Sequence, residues 1–390
     1  MKITADRKLM LVLSTALVLF SVSGAMMGRV VAVEGTYSYL KLFNEALYLI
    51  VHNYVQPVQL DGLMEGAYRG MLESLDPVNE YLSPVQYEKA FRGDAGGPAG
   101  AGLTLSKRRG YLVVVSVQAG SPAAEAGMQT GDVVVMIDGR STRLMGVWEA
   151  SRALRGKPST KVTLNVSPVA AAGRKTIELT RRTLAPPAPS GTLEAPDAGV
   201  VRVAALQEGD AKRLDQAIAG LKKRGAARLL LDLRGCSSDS LAEGIGAASL
   251  FINDGTIVTV TDRYDGDKAY KADGRRRVWS GPLVVLVNEG TSGACEVLAA
   301  ALHDDRSAPI VGQKTWGEGA VRALLPLQQG DGIFLATGRL QSPSGKEWHG
   351  QGIQPDLAIE GRPTDSDDPQ LKKAIEYLRG VSRPADRNAA

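Results

Sequence analysis

Histidines and cysteines are the first residues to consider for metal or thiol chemistry. The chain has only three histidines and two cysteines. His52, His303 and His349 lie far apart, and none stands in a spacing typical of a zinc site. We therefore expect no metal and no cofactor, and we interpret the histidines as surface or hydrogen-bonded residues. Cys236 and Cys295 are too few for a disulfide framework, although a bridge could persist outside the cytoplasm.

A glycine-containing segment in the middle of the chain has a composition suited to carboxylate binding. It reads Gly100-Ala101-Gly102-Leu103-Thr104-Leu105, and backbone N–H groups in such a loop can hold a terminal carboxylate. With the blocks 120–128, 131–134 and 137–139, it resembles a bacterial PDZ domain. The resemblance implies that a protein tail pairs with the strand after the loop, with Leu103 and Leu105 around its last side chain. The alternative is that these glycines only form turns.

The N-terminus has the pattern of a secretory signal. Lys2, Arg7 and Lys8 precede an apolar stretch over 9–27. That stretch is also about 20 residues long, which is enough for an uncleaved membrane anchor. Both interpretations of residues 1–30, signal peptide or signal anchor, place the rest of the protein in the periplasm or on the outer face of the cytoplasmic membrane. We expect membrane contact only through this segment.

The charged residues are dispersed along the chain, and the formal net charge is only +4. The short basic runs Lys107-Arg108-Arg109 and Arg275-Arg276-Arg277 are interpreted as solvated faces. A nucleic-acid partner is therefore not expected.

The 390 residues are enough for two or three domains. Apolar residues at helical spacing predict a helical region over 36–92, and short strands with turn signals predict the PDZ domain over 97–184. A proline-stiffened linker is expected over 185–198. Strands alternate with helices over 199–362, which predicts a mixed or parallel sheet, and 363–390 should form one helix and a polar tail. The expected fold class is multidomain, α/β and α+β.

Short motifs recur in a fixed order from residue 36 to residue 379. They include Asn53-Tyr54-Val55, Leu75-Asp76-Pro77, Asp232-Leu233-Arg234, Lys314-Thr315 and Gly352-Ile353. In type, order and spacing these motifs resemble the carboxyl-terminal processing peptidases. The resemblance implies an N-terminal helical region, a PDZ domain and a mixed α/β peptidase-like core of the S41 type.

The resemblance also implies a serine nucleophile and a lysine base, and neither is present here. Such a lysine must be neutral to accept the serine proton, so burial has to lower its pKa. Asn288, Gly290 and Glu296 fix the register and put Gly293 at the serine position. In Thr315-Trp316-Gly317-Glu318-Gly319, Glu318 stands at the lysine position.

The backbone turn that forms the oxyanion hole in the family is altered as well. The family has proline and two glycines there, whereas this chain reads Cys236-Ser237-Ser238-Asp239. A glutamine that usually follows the lysine is Arg322. Loss of nucleophile, base and oxyanion turn together predicts a catalytically inactive pseudoprotease.

The predicted function is binding of protein C-terminal tails through the PDZ domain, as an adaptor or regulator. The alternative is an active serine-type endopeptidase with a non-standard nucleophile. The residues that could substitute for the missing groups are Ser292, Cys295, Lys314, Ser238 and Ser240. Family members are often oligomeric through their terminal helices, and the sequence leaves a homo-oligomer open.

The resemblance also bears on the two cysteines. Cys236 and Cys295 both align with positions that flank the active site of the family. One hypothesis is a disulfide that fills the former catalytic position. The other is a pair of half-buried, unpaired thiols.

Overall fold

The structure is a computed structural model that describes residues 37–185, 187–361 and 368–381. The chain divides into two compact units, Met1–Ala67 and Tyr68–Ala390. The apolar stretch over 9–27 lies outside the described residues. Among the helices that are described, none has the length and apolar character needed to cross a membrane.

The first unit contains helix α1 over 37–53 and the beginning of α2 (Leu60–Leu75), which continues into the second unit. Several large apolar side chains of α1 and of the turn after it are exposed to solvent: Tyr39, Leu42, Tyr48, Leu49 and Val55.

The region 36–92 is not wholly helical, which corrects the prediction for it. Residues Glu80–Leu82 form strand β1, which pairs antiparallel with β18 (Gly332–Gln341). The segment lies between Asp76-Pro77 and Ser83-Pro84, and the prolines disfavour helix on both sides. All three residues of β1 are buried. Helix α3 (Pro84–Phe91) then starts at the second proline, a residue well suited to the first position of a helix.

The PDZ domain is a sheet with β2 at one edge. Its strand order is β2-β3-β4-β6-β7, with the short β5 paired to β4. The strands are β2 (Leu103–Arg108), β3 (Tyr111–Val117), β4 (Val133–Ile137), β5 (Arg140–Ser141), β6 (Lys161–Ser167) and β7 (Lys175–Thr180), with helices α4 (Pro122–Glu125) and α5 (Val147–Ala153). An edge strand leaves one row of backbone groups available to an added strand.

The peptidase-like core contains a six-stranded sheet of order β19-β16-β14-β10-β9-β8, parallel except for the β8–β9 hairpin. The strands are β8 (Ser190–Ala195), β9 (Ala198–Arg202), β10 (Arg228–Asp232), β14 (Leu283–Val287), β16 (Ile310–Gly312) and β19 (Leu357–Ala358). Strand β8 falls inside the predicted linker, 185–198. The linker prediction is corrected there, because the proline-free run 190–195 pairs with β9 and extends the sheet.

The remaining strands form two smaller sheets. The larger has the order β1-β18-β12-β13, with β17 also paired to β18. Its other members are β12 (Thr256–Asp262), β13 (Gly266–Lys271) and β17 (Ala320–Pro326). The smaller sheet pairs β11 (Ser237–Ser238) with β15 (Ser292–Gly293). A 3-10 turn covers Gly274–Arg276.

Helices cover both faces of the six-stranded sheet. The helices are α6 (Asp210–Lys223), α7 (Leu241–Ala248), α8 (Ala294–Arg306) and α9 (Pro369–Gly380). Leu229 and Leu231 of β10 pack in the cluster that contains residues of α6, α7 and α8, whereas Leu230 packs with α9. Successive strand residues point to opposite faces, so β10 is buried on both sides. The predicted multidomain α/β and α+β fold class is confirmed, and β10 and β14 direct their carboxyl ends towards one place.

Candidate functional site

The candidate site lies at the carboxyl ends of β10 and β14, where each strand turns away from the sheet. The side chain of Asn288 connects the two turns: its Oδ1 accepts hydrogen bonds from the N–H groups of Gly235 (2.8 Å) and Gly290 (3.0 Å). The Thr291 hydroxyl donates to the carbonyl oxygen of Leu233 at 2.8 Å. These contacts hold the segment after β10 against the turn that leads into α8.

A disulfide and a two-residue parallel pairing join the same two segments. Cys236 and Cys295 are bonded, with their Cα atoms 6.0 Å apart, and both are fully buried. Between them, β11 and β15 pair so that Ser238 stands opposite Gly293. The Ser292 N–H also donates to the Cys236 carbonyl oxygen at 2.9 Å. Residues 236–238 are thus fastened directly onto residues 292–295.

Gly293 has no room for a side chain. Its φ is +62° and its ψ is −124°, a combination that residues with a Cβ rarely adopt. A Cβ at this position would lie 2.2 Å from the carbonyl oxygen of Ser238. Because that oxygen belongs to the paired backbone, a side chain at 293 requires β11 to move away.

A buried carboxylate in the first turn of α8, that of Glu296, connects this helix to the segment that contains Glu318. Glu296 is fully buried, and its oxygens accept hydrogen bonds from the N–H groups of Gly293 (3.1 Å), Gly317 (2.8 Å) and Glu318 (2.7 Å), and from the Thr315 hydroxyl. Burial raises the pKa of Glu296 to about 7, although all four donors act to lower it. The backbone around Glu318 is therefore positioned by Glu296.

The side chain of Glu318 points into a cavity of about 210 Å³ that Gly293 also lines. Ser106 of the PDZ strand β2 donates a hydrogen bond to Glu318 Oε2 at 3.3 Å. Burial raises the pKa of Glu318, Arg322 opposes that rise, and Asp239 adds to it. The cavity contains carboxylates and a guanidinium, and Gly293 contributes no nucleophilic atom to it.

The residues that could substitute for the missing groups are engaged elsewhere. Ser292 is buried and donates to the Ser237 hydroxyl at 2.7 Å, and Cys295 is in the disulfide. The Ser238 hydroxyl donates to the Leu206 carbonyl oxygen, while Ser240 caps α7. The remaining candidate, Lys314, has an exposed side chain. The structure does not bring any of them together as a nucleophile with a base.

His349 is a polar group close to Glu318 whose role the sequence did not indicate. Its Nε2 is 2.8 Å from Asp76 Oδ2, and its Nδ1 accepts from the Gly319 N–H at 3.2 Å. With both ring nitrogens engaged, His349 has none left to act as a base. Burial raises the pKa of Asp76, but hydrogen bonds from His349 and the Val78 N–H outweigh it and lower the pKa to about 2. The pair fixes the 317–319 turn.

A second cavity, of about 410 Å³, lies at the predicted tail-binding loop. Gly100, Gly102, Leu103 and Thr104 line it, together with Leu154 just after α5. Gly102 has φ +82°, and a Cβ there would lie 2.1 Å from the Ser121 side chain. The loop, the edge strand β2 and the end of α5 thus form a cleft.

Leu105 does not line this cavity, in contrast to the expectation. Its side chain is 4% exposed and packs in the PDZ core with Leu112 and Val114. The register shift between β2 and β3 leaves the extra residue, Val115, on β3, so β2 itself continues without interruption and places Leu105 one step deeper along the strand than Leu103. Leu103 is the leucine that faces the cleft.

The far half of β2 contacts the peptidase-like core. The Arg108 guanidinium lies 3.9 Å from the ring centroid of Trp316 and donates to the Trp316 carbonyl oxygen at 2.6 Å. Ser106, through its hydrogen bond to Glu318, contacts the core as well. The first half of β2, Leu103 and Thr104, is therefore the part of the strand that borders the cleft.

Three family profiles match consecutive parts of the chain. The profile of the Activating protease CtpB N-terminal domain matches residues 23–84, the PDZ domain profile matches 113–167, and the Peptidase family S41 profile matches 197–359.

Relatives match over most of their length. The chain is 32% identical over 352 residues to carboxy-terminal processing protease CtpA of Bacillus subtilis (strain 168). This alignment covers 90% of this chain and 75% of that protein. It is 33% identical over 327 residues to the carboxyl-terminal-processing protease of Synechocystis sp., with 80% and 76% covered. The solved structure of the photosystem II D1 C-terminal processing protease aligns with a TM-score of 0.70 at 29% identity, covering 86% of this chain and 96% of that one. The chain therefore belongs to the carboxyl-terminal processing proteases of peptidase family S41, and it carries their PDZ domain.

Proposed function

We propose that this chain is a non-proteolytic member of its family that binds the C-terminal tails of other proteins and acts as an adaptor or regulator. The observation that carries the proposal is the contact between two backbones at the former active site. The Ser238 carbonyl oxygen occupies the space into which a nucleophilic side chain at position 293 would extend. The proposal takes Gly293 and Glu318 as the family's serine and lysine positions.

Proteolysis at this site is disfavoured for three related reasons. Glycine has no atom that could form an acyl-enzyme. The carboxylate of Glu318 can accept a proton, but Gly293 beside it offers none to take. The backbone of 236–238, which would have to donate N–H groups to an oxyanion, is instead paired with 292–293 and fixed by the disulfide.

Tail binding is supported by the cleft beside β2. The strand is at a sheet edge, and the Gly100–Thr104 loop lines one end of the cleft. An extended peptide can add to such an edge while the loop N–H groups hold its terminal carboxylate. Leu103 and Leu154 offer apolar contact to its last side chain.

We also propose that the protein works outside the cytoplasm, with residues 1–30 as signal peptide or anchor. The disulfide supports this, because such bonds persist in oxidising compartments. A homo-oligomer formed through α1 is part of the same proposal, since Tyr39, Leu42 and Leu49 expose large apolar surfaces there.

A binding titration with two matched peptides tests the proposed function. Both have the same apolar-ended sequence and a fluorescent label, and one ends in a free carboxylate while the other ends in an amide. The proposal predicts that anisotropy rises only for the free carboxylate and that mass spectrometry recovers both peptides uncut. Equal binding of the two peptides contradicts tail recognition. Cleavage that disappears in the Ser292→Ala variant supports the endopeptidase instead.

A further inference from the structure

The tail-binding cavity has walls from two domains. The PDZ loop and the end of α5 form one wall, and the peptidase-like core forms the other with Arg202, Gln207, Gly235 and Ser237. The Ser116 hydroxyl of β3 donates to the Gly235 carbonyl oxygen at 2.6 Å, which joins the walls. A peptide in the PDZ cleft would therefore contact the core as well.

The charged side chains that line the cavity are all positive. Two of its lining residues are arginines, Arg155 from the PDZ domain and Arg202 from the core, and no aspartate or glutamate lines it among the residues that the structure describes. One terminal carboxylate, held by loop N–H groups, does not require two further cations. A lining with two arginines and no carboxylate fits a second anionic group in the ligand.

Arg202 is the better placed of the two to select a ligand. It lies at the end of β9, its side chain is 45% exposed, and its Nη1 is 2.8 Å from Asp232 Oδ2. Asp232 also forms a bidentate ion pair with Arg234 at 2.8–2.9 Å. Arg234 is shared with Asp368, at 2.7–2.9 Å, so Asp232 depends on both arginines. Arg202 meets Asp232 through one nitrogen, and its other N–H groups can turn towards a ligand.

We propose that the cavity selects protein tails that carry an aspartate or glutamate side chain upstream of an apolar C-terminal residue, and that Arg202 of the peptidase-like core is a specificity-determining residue for that side chain. Arg155, whose Nε donates to the Gly97 carbonyl oxygen at 3.0 Å, adds positive charge from the opposite wall. This inference rests on the proposed tail binding and deepens it, because it gives the former peptidase core a part in ligand choice.

The test uses the full chain and three labelled peptides with an apolar last residue. The first carries glutamate upstream, the second carries glutamine at the same positions, and the third is the glutamate peptide with an amidated end. We expect the glutamate peptide to bind about tenfold more tightly than the glutamine peptide, the size of one hydrogen-bonded charge contact. Arg202→Gln should reduce that ratio to nearly one.

A matched control is Arg213→Gln. Arg213 is also a half-exposed arginine of the core that pairs with a buried aspartate, Asp210 at 2.6 Å, but it does not line the cavity. This variant should keep the tenfold preference. Equal binding of the glutamate and glutamine peptides to the unmodified chain would overturn the inference while leaving tail binding intact. Loss of discrimination between the free and amidated ends would overturn the proposed function itself.

Thermal unfolding of both variants separates specificity from folding. We expect Arg202→Gln to unfold as one transition and to bind the glutamine peptide as well as the unmodified chain does. If Arg202→Gln also fails to bind the glutamine peptide, the substitution has disrupted the cleft itself. The charge-reversing variant Arg202→Glu then distinguishes the two explanations. It should prefer a lysine-containing tail if the inference is right, and an unchanged glutamate preference would contradict it.

Discussion

The carbonyl oxygen of Ser238 lies 2.2 Å from the place where a Cβ atom on Gly293 would be. The two residues stand opposite each other in the β11–β15 pairing, and the Cys236–Cys295 disulfide holds their segments together. The glycine at 293 and the position of residues 236–238 are therefore parts of one structural arrangement. Glycine at 293 permits the close approach of the two backbones, and that approach leaves no space for a nucleophile.

Replacing Gly293 by alanine should destabilise the protein by about 2–4 kcal/mol, because a strained backbone conformation is combined with a backbone clash. Chemical denaturation measures the difference. The control is Gly345→Ala, where φ is +80° but a Cβ would have no heavy atom within 4 Å. That variant should cost about 1 kcal/mol from strain alone. Equal losses in the two variants would mean that Ser238 does not restrict position 293.

Replacing both Cys236 and Cys295 by alanine should lower the free energy of unfolding by about 2–4 kcal/mol, since a bridge across 59 residues restricts the unfolded chain. Denaturation with and without reductant gives the value. Reductant should weaken the unmodified chain and leave the double variant unchanged. If native protein without reductant is alkylated at both thiols, the bridge is absent in solution.

The fold class and the PDZ domain could be predicted from the sequence, because they depend on local pattern and on ordered motifs. Helices α2 and α3 lie in the region 36–92, where apolar residues at helical spacing predict helix. Features that depend on distant partners could not be predicted in the same way. Strand β1 exists because β18 is beside it, and β8 exists because β9 folds back on it.

The same limit applied to the binding cleft. The alternation of leucines after the glycine loop suggests that Leu105 lines the pocket, but Leu105 is buried in the PDZ core, and Leu103 is the one of the two that reaches the cavity. Arg202 lies almost a hundred positions further along and gave no local signal. Its place in the cleft follows from the packing of two domains, which single-sequence patterns do not report.

The pH dependence of stability should contain a contribution from Glu296. Burial raises its folded-state pKa from 4.5 to about 7. Between these values the folded state binds more protons than the unfolded state, so stability should fall as pH rises from about 4.5 to 7, by about 2–3 kcal/mol. Above pH 7 this contribution becomes constant.

The variant Glu296→Gln isolates the effect, because its side chain does not titrate. Denaturation curves of both proteins across this range give the difference in stability at each pH. The variant should be the less stable protein at acid pH, since its amide group faces backbone donors, and the gap should narrow as pH rises. A gap that stays constant or widens would show that the four donors dominate over burial.

Tail affinity should depend on the glycine loop. In Gly102→Ala, the new Cβ would lie 2.1 Å from Ser121, so the loop must shift and binding of an apolar-ended peptide should fall about tenfold or more. Gly127→Ala in the same domain is the control, because φ is +73° there and no heavy atom lies within 4 Å of the new Cβ. Isothermal calorimetry on both variants makes the comparison. Equal affinities would place the tail elsewhere.

The central claim is that this chain binds protein tails without cutting them. The most direct test incubates the chain for a long time with a saturating apolar-ended peptide and then records the mass spectrum of the recovered peptide. The account predicts a single mass, that of the whole peptide, for the unmodified chain and also for the Gly293→Ser/Glu318→Lys double variant, because residues 236–239 still lack the glycine turn that forms the family's oxyanion hole. Shortened products from the unmodified chain that vanish in Ser292→Ala would contradict it.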